Sequence, residues 1–303
     1  MTARVLALVG PTAAGKSTIA LEAAERLGAE LVAVDAFTVY RGMDVGTAKP
    51  DAGARTRVPH HGLDLLEPEQ ECSVEWFQRR ARAAIDDVLA RGRLPLLVGG
   101  SGLYFRAVVD DLAFPPTDAA VRDRLLETHR GDPGAAHAEL ARVDAAAAAR
   151  IDPENLRRTV RALEVLELTG QPFSAWRTAW EAHEAVYPGL VVVGVERDRR
   201  DLAGRIATRV EAMHADGLLD EARALAGRDL SRTARQAIGY AEAFAHLAGE
   251  LTLEEALDRI AARTRRFAAR QQRWFAADPR VAWHGARSAA DALRRAGQEG
   301  RPA

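Results

Sequence analysis

Short unbroken apolar runs punctuate the first third of the chain and return near its end. Residues 5–9, 31–35, 94–98 and 190–195 each have the length and the β-branched content of a strand buried on both faces; the second of them ends on Asp35. Pro95 sits at the entrance of the third run, where a missing N–H is tolerated. Between the runs the period changes. Ile19, Leu21, Ala23, Ala24 and Leu27 recur at helical spacing over 18–27 until Gly28 stops them, and Trp76, Phe77, Ile85 and Leu89 mark an amphipathic helix over 74–90. Strand alternating with helix predicts an α/β fold, a parallel sheet flanked by helices.

The pattern breaks after Pro115-Pro116. From there to Pro188 no run resembles a strand, and Ala- and Arg-rich segments start at Asp132-Pro133 and Asp152-Pro153 and stop at Thr169-Gly170, as capped helices do. The expected organisation is a sheet domain over 1–116, an all-helical insertion over 117–188, and the sheet domain resumed over 189–285. That second part holds a helix carrying Arg205, Ile206, Arg209, Val210 and Met213, a long helix over 257–275, and an edge strand over 281–283. Residues 286–303 read as a surface tail with a fraying helix.

Composition narrows the classes. With 303 residues, 48% of them hydrophobic, the chain can bury a sizeable core. No apolar run approaches about eighteen residues and no leader follows Met1, so neither a membrane span nor a secretory signal is expected; the expected setting is the cytoplasm, as a monomer. A lone cysteine, Cys72, excludes an internal disulfide framework. Net charge is −1, so a polyanionic partner must meet a local basic patch. Among 42 Lys and Arg residues only Lys16 and Lys49 are lysine, which suggests positions where a compact ammonium is needed and makes Lys49 a candidate for the same site as Lys16, an accident of composition being the alternative.

The first of these lies in Gly10-Pro11-Thr12-Ala13-Ala14-Gly15-Lys16-Ser17, which fits GxxxxGK[ST] between a strand and a helix. Such a turn aims backbone N–H groups and a helix N-terminus at one anion, adds the Lys16 charge, and offers the Ser17 hydroxyl to Mg2+. Asp35, at the carboxyl end of the second strand, is the best general-base residue; a turn-capping role is its alternative. The loop over 36–50 could fold over a substrate. His60 and His61 are adjacent, point apart, and lack the spacing of a zinc helix, so they read as loop anchors. The third strand runs into Gly99-Gly100-Ser101-Gly102 with no acid, unlike a nucleoside triphosphatase.

Arginine is patterned as well. Arg205 and Arg209 lie one turn apart and could clamp a diphosphate or form a surface stripe, while Arg157, Arg158 and Arg161 cluster on a helix of the insertion as a solvated face or a phosphate-backbone patch. Arg259, Arg263, Arg266, Arg270 and Arg273 recur at steps of four and three, a stripe of five unpaired guanidinium groups suited to a nucleic-acid backbone.

Taken with Tyr40 to Pro50, Pro59-His60-His61, Val98 to Tyr104, Arg161 to Val165 and Gln236 to Tyr240, these motifs resemble the bacterial tRNA dimethylallyltransferases over nearly the whole chain. The resemblance implies transfer of a dimethylallyl group from dimethylallyl diphosphate to N6 of the adenosine next to the anticodon. It implies Asp35 as base, Thr12 to Ser17 and Arg209 as the diphosphate site, Ser101 as a hydroxyl near the bridging oxygen, and tRNA contacts at Asp35, Ala36, Phe37, Thr38 and Arg157 to Arg161. The family has Ser and Gln at the positions of Ala36 and Thr38. Two other classes stay open: an ATP-binding small-molecule kinase using the same loop, and a non-catalytic RNA-binding protein using the Arg stripe.

Overall fold

Successive residues of the central strands face opposite layers. Val5, Ala7, Val9, Val32, Val34, Leu97 and Val192 point into one apolar core, whereas Leu6, Leu8, Leu31, Leu96, Val193 and Val195 point into the other. Both faces are covered, which is why the runs are apolar throughout instead of alternating. The computed structural model describes residues 4–299 other than 178, 179 and 181, and it divides into two compact units, Met1–Val109 with Ala185–Ala303, and Asp110–Glu184. The second unit therefore starts and ends earlier than the 117–188 read from composition.

The first unit begins β1 (Arg4–Val9), α1 (Lys16–Leu27), β2 (Ala29–Ala33), α2 (Ala52–Arg57), β3 (His60–His61), α3 (Val74–Ala90), β4 (Leu94–Gly99) and α4 (Gly102–Val109). In the second unit, α5 (Ala119–Thr128), α6 (Pro133–Val143), α7 (Ala145–Ala148) and α8 (Leu156–Thr169) precede a 3₁₀ turn (Phe173–Arg177). The first unit resumes with β5 (Gly189–Glu196), α9 (Arg199–Ala215), α10 (Leu218–Leu225), α11 (Arg232–Arg235), α12 (Tyr240–Leu247), α13 (Leu253–Ala276), β6 (Val281–Gly285) and α14 (Ala286–Gln298).

The six strands pair in parallel in the order β3-β2-β4-β1-β5-β6. One face packs against α3 and α4 through Phe77, Ile85, Phe105 and Val108; the other packs against α1 and α14 through Ile19, Ala23, Leu27, Ala289 and Leu293. The last helix is thus no surface tail, because Ala289 and Leu293 are fully buried. Two further expectations shift. Strand β2 stops at Ala33, leaving Val34 and Asp35 beyond its end, and the two histidines form the edge strand β3. His61 Nε2 lies 2.7 Å from Glu30 Oε2, and His60 Nδ1 lies 2.7 Å from the Val58 carbonyl, so both anchor the edge as the sequence suggested.

The second unit has its own small core of Leu125, Leu140, Ala147, Ile151, Val160 and Leu163. Its helices are capped by Asp118, Asp132, Asp144 and Asn155, and α6 carries proline in its first turn. Glu164, fully buried, takes Arg122 at 2.8 Å, Arg161 at 2.9 Å and the Asp118 N–H at 2.8 Å.

Because α14 supplies half of one sheet face, Leu293→Ala is expected to destabilise the protein by about 2–5 kcal/mol, measured by denaturant unfolding. A cost near zero would return this segment to the status of a tail.

Candidate active site at the carboxyl edge of the sheet

Strands β2, β4 and β1 are neighbours, so the residues just past their ends converge within a few strand spacings. Past β1 comes the loop Gly10 to Gly15. Gly10 adopts φ +142° and a Cβ there would stand 2.7 Å from the Val195 carbonyl, so the turn admits only glycine. Ala13 follows in the left-handed region at φ +62°, a conformation held by the surrounding structure.

The loop's carbonyls are turned outward and tied. Lys16 Nζ donates to the Gly10 and Pro11 carbonyls at 2.9 and 2.7 Å, Arg205 Nε to the Ala13 carbonyl at 2.7 Å, and Arg197 Nε to the Ala14 carbonyl at 3.1 Å. The backbone N–H groups of Ala13, Gly15, Lys16 and Ser17 have no protein acceptor among the described residues. Four unpaired donors at the start of α1 form an anion cradle.

A cavity of about 680 Å³ borders the cradle at Lys16 and Ser17. Thr12, Lys16, Ser17, Asp35, Phe37, Thr38, Gly99, Gly100 and Arg209 line it, together with Ile260, Thr264, Phe267 and Gln271 from one face of α13. Asp35 takes the turn-capping role and keeps one carboxylate oxygen open. Its Oδ1 accepts the Phe37 N–H at 2.9 Å in a turn, while Oδ2 has no protein partner among the described residues. Burial raises the Asp35 pKa above the ordinary carboxylate range, against the opposing pull of the Phe37 N–H, Lys16 and Arg209. Burial likewise pushes Lys16 down to about 7, with Arg209 adding repulsion and Asp35 opposing it. Arg209 Nη1 donates to the Thr12 hydroxyl at 3.2 Å.

Several assigned residues lie elsewhere. Arg205 pins the loop from outside and is not in the cavity wall, so it does not share Arg209's position. Ser101 falls one residue beyond the lining, where its carbonyl starts α4 by accepting the Phe105 N–H at 2.8 Å. Ala36 is buried in the core beneath Phe37 and Thr38. Lys49 does border the cavity, but as a staple: its buried Nζ donates to Asp44 and Asp64 at 2.6 Å each and to the Tyr40 carbonyl, closing the 40–64 segment on itself. Of the five-arginine stripe, Arg263 pairs with buried Glu242, leaving Arg259, Arg266, Arg270 and Arg273 on the exposed side of α13. In the second unit Arg161 is committed to Glu164 and to the carbonyls of Pro115 and Pro116, whereas Arg157 and Arg158 are exposed.

Two contributors were missed in the sequence. Glu221 accepts the N–H groups of Asp44, Val45 and Gly46 at 2.6, 2.8 and 3.0 Å and the Tyr240 hydroxyl at 2.6 Å, which fixes the cavity wall over 46–50. Gln271 accepts the Thr12 N–H at 2.7 Å. The spacing 260, 264, 267, 271 is one helical face, and a glutamine in that face was a readable signal.

Fold and site define an α/β protein that can hold a phosphate group against a free carboxylate oxygen. The model of the IPP transferase family matches residues 38–278. Over 296 residues the chain is 52% identical to a tRNA dimethylallyltransferase of Salinispora arenicola, covering 96% of this chain and 85% of that one. It is also 52% identical over 284 residues to the tRNA dimethylallyltransferase of Streptomyces coelicolor, with 92% and 89% covered. The tRNA isopentenylpyrophosphate transferase of Bacillus halodurans, whose crystal structure is known, superposes with a TM-score of 0.69 at 37% identity, over 98% and 97% of the two chains. The chain belongs to the IPP transferase family.

A lysine at about 7 is largely neutral at pH 8 until an anion arrives, so inorganic diphosphate is expected to bind with uptake of about one proton at pH 8 and none from this group below pH 6. Affinity should fall about fivefold between pH 7 and 8. Calorimetry in buffers of different ionisation enthalpy, with Lys16→Met as control, measures both; equal uptake in the variant would assign the proton elsewhere.

Proposed function

We propose that this protein transfers the dimethylallyl group of dimethylallyl diphosphate to N6 of the adenosine 3′-adjacent to the anticodon of tRNA. The observation that carries the reading is that Asp35, with Oδ2 open, borders one cavity together with Lys16, Ser17 and Arg209, at a loop that carries four free N–H groups. The relatives' activity and this geometry agree. The apolar stretch of the wall, Val98, Val210, Ile238, Ile260 and Phe267, suits the prenyl chain between the two.

The chemistry follows from what each group can do. The adenine amine attacks the prenyl C1, the C1–O bond breaks, and its electron pair leaves on the diphosphate. The amine proton, acidic only as the new C–N bond forms, passes to Asp35, whose burial makes it a stronger base than an exposed aspartate. Charge growing on the diphosphate meets the cradle, where fixed donors stabilise it without reorganising. Mg2+ fits as a companion of the diphosphate. Among the described residues no group of three His, Cys, Asp or Glu side chains could cage a metal, but Ser17 offers a hydroxyl in the cavity wall with no protein partner, and Mg2+ commonly takes one or two protein ligands beside phosphates and water. When bound it would neutralise part of the leaving group's charge.

An adenine in a stacked anticodon arm must turn out to reach this cavity. Phe37 offers a ring at the wall, and Thr38 holds there a buried hydroxyl with no protein partner, a short donor where a longer amide stands in the family. The exposed arginines of α13 are suited to the tRNA backbone, as are Arg157 and Arg158 on α8. No described helix is long and apolar enough to cross a membrane; the cytoplasm, where tRNA is modified, is the proposed location. Every group of the proposed chemistry comes from one chain, so a monomer suffices. A kinase reading loses support from β4, which runs into Gly99-Gly100 with no acid to hold a nucleotide's metal.

Asp35→Asn keeps the acceptor for the Phe37 N–H and removes the base, so single-turnover transfer at saturating tRNA and dimethylallyl diphosphate should slow by about a hundredfold to ten-thousandfold. Wild-type turnover in that variant would remove Asp35 from the chemistry. Replacing Arg266, Arg270 and Arg273 together by Gln should flatten the salt dependence of tRNA affinity by roughly one unit of slope for each phosphate no longer neutralised. An unchanged slope would make the stripe a solvated face.

A further inference from the structure

Helix α13 meets the anion loop at Gln271, which is 5% exposed. Its Oε1 accepts the Thr12 N–H at 2.7 Å. On its other side the amide nitrogen packs against Gly100, where an added Cβ would stand 2.3 Å away. Trp274, one turn on, fills the space beside Gly102 in the same way, at 1.8 Å from a Cβ there. Thr12 is therefore held at both ends: its backbone N–H by Gln271, its hydroxyl by Arg209.

We propose that Gln271 is a positioning residue for group transfer, acting through Thr12. This rests on the reading of the cavity as the site of prenyl transfer. Thr12 opens the loop, and an unpaired N–H there would join the cradle and draw the diphosphate toward the loop's first residues. Gln271 withdraws that donor, so the anion is bound by Ala13, Gly15, Lys16 and Ser17. Thr12 is left to present its hydroxyl, and with it Arg209, at a fixed angle to the leaving group. Gln271 touches neither the carbon that is transferred nor the base. Its contribution is geometric, and a misplacement of about an ångström at a reacting centre costs on the order of a hundredfold in rate.

Gln271→Met keeps length and volume and offers the Thr12 N–H only a weak thioether acceptor. The expected result is a loss of kcat of about ten- to hundredfold, with KM for tRNA unchanged, KM for dimethylallyl diphosphate within about threefold, and an unaltered thermal midpoint. Thr12→Val removes the hydroxyl that Gln271 positions, so the double variant should be no slower than Thr12→Val alone. Wild-type kcat in Gln271→Met, or losses that multiply in the double variant, overturns the inference. Should Gln271→Met not fold, Gln271→Glu replaces it, since it keeps shape and an acceptor. It should retain kcat within about threefold while its charge raises KM for the diphosphate, and a kcat loss of ten- to hundredfold there counts against the inference. A wild-type protein that transfers no prenyl group to bulk tRNA defeats the reading of the site. An active wild type with an unimpaired variant defeats only the role of Gln271.

Discussion

A backbone segment that presents unpaired N–H groups to an anion must have its carbonyls satisfied somewhere else. Much of the first unit is arranged to meet that requirement. Lys16 folds back onto Gly10 and Pro11, while Arg205 from α9 and Arg197 from just past β5 reach in to take Ala13 and Ala14. With the carbonyls held, the donors of Ala13, Gly15, Lys16 and Ser17 have one direction left to face. The close packing of Gly10 on Val195 and the left-handed Ala13 are consequences of the same demand, since a regular turn would point the groups differently.

Charge inside the cavity is arranged so that no group is comfortable without a ligand. Burial drives Lys16 and Arg209 down and Asp35 up, and each shift is only partly offset by the opposite charge across the space. An anion bound there would relieve the cations. The site is primed by desolvation, the same effect that makes fixed dipoles worth more there than in water. Elsewhere burial has the opposite use. Cys72, with its thiol pushed up to about 12 by burial, is inert core.

Another part of the cavity wall uses a similar device with an internal anion. Glu221 sits among the N–H groups of Asp44, Val45 and Gly46 as a phosphate would sit in the loop, and Tyr240 closes it from the other side. Lys49 then gathers Asp44, Asp64 and the Tyr40 carbonyl. Removing one partner of such a set leaves a buried charge uncompensated, which is far more costly than the set is stabilising. An irregular segment thereby becomes a rigid wall without regular secondary structure.

Strands, the anion loop, its helix and the position of Asp35 were legible in the chain because each depends on local pattern: apolar runs for a sheet covered on both faces, glycine spacing for the turn, and a carboxylate at the end of an apolar run. The order β3-β2-β4-β1-β5-β6 was not, although it is what brings Asp35, Gly100 and Lys16 to one edge. The stripe on α13 shows the division most plainly. Helical spacing placed five arginines in line, but only packing could show that Arg263 is taken by Glu242. Lys49 and Lys16, alike in composition and both bordering the cavity, parted company for the same reason, Lys49 Nζ being enclosed by two acids and Lys16 Nζ meeting only carbonyls. A reading of α14 as a tail failed because its Ala-rich pattern has few large apolar residues, and only the sheet face beneath it makes Ala289 and Leu293 core. The sequence by itself determined which groups could bind and react. Which of them remain free to do so was decided by tertiary structure, because a partner distant in sequence satisfies a charge or an N–H as completely as a ligand would.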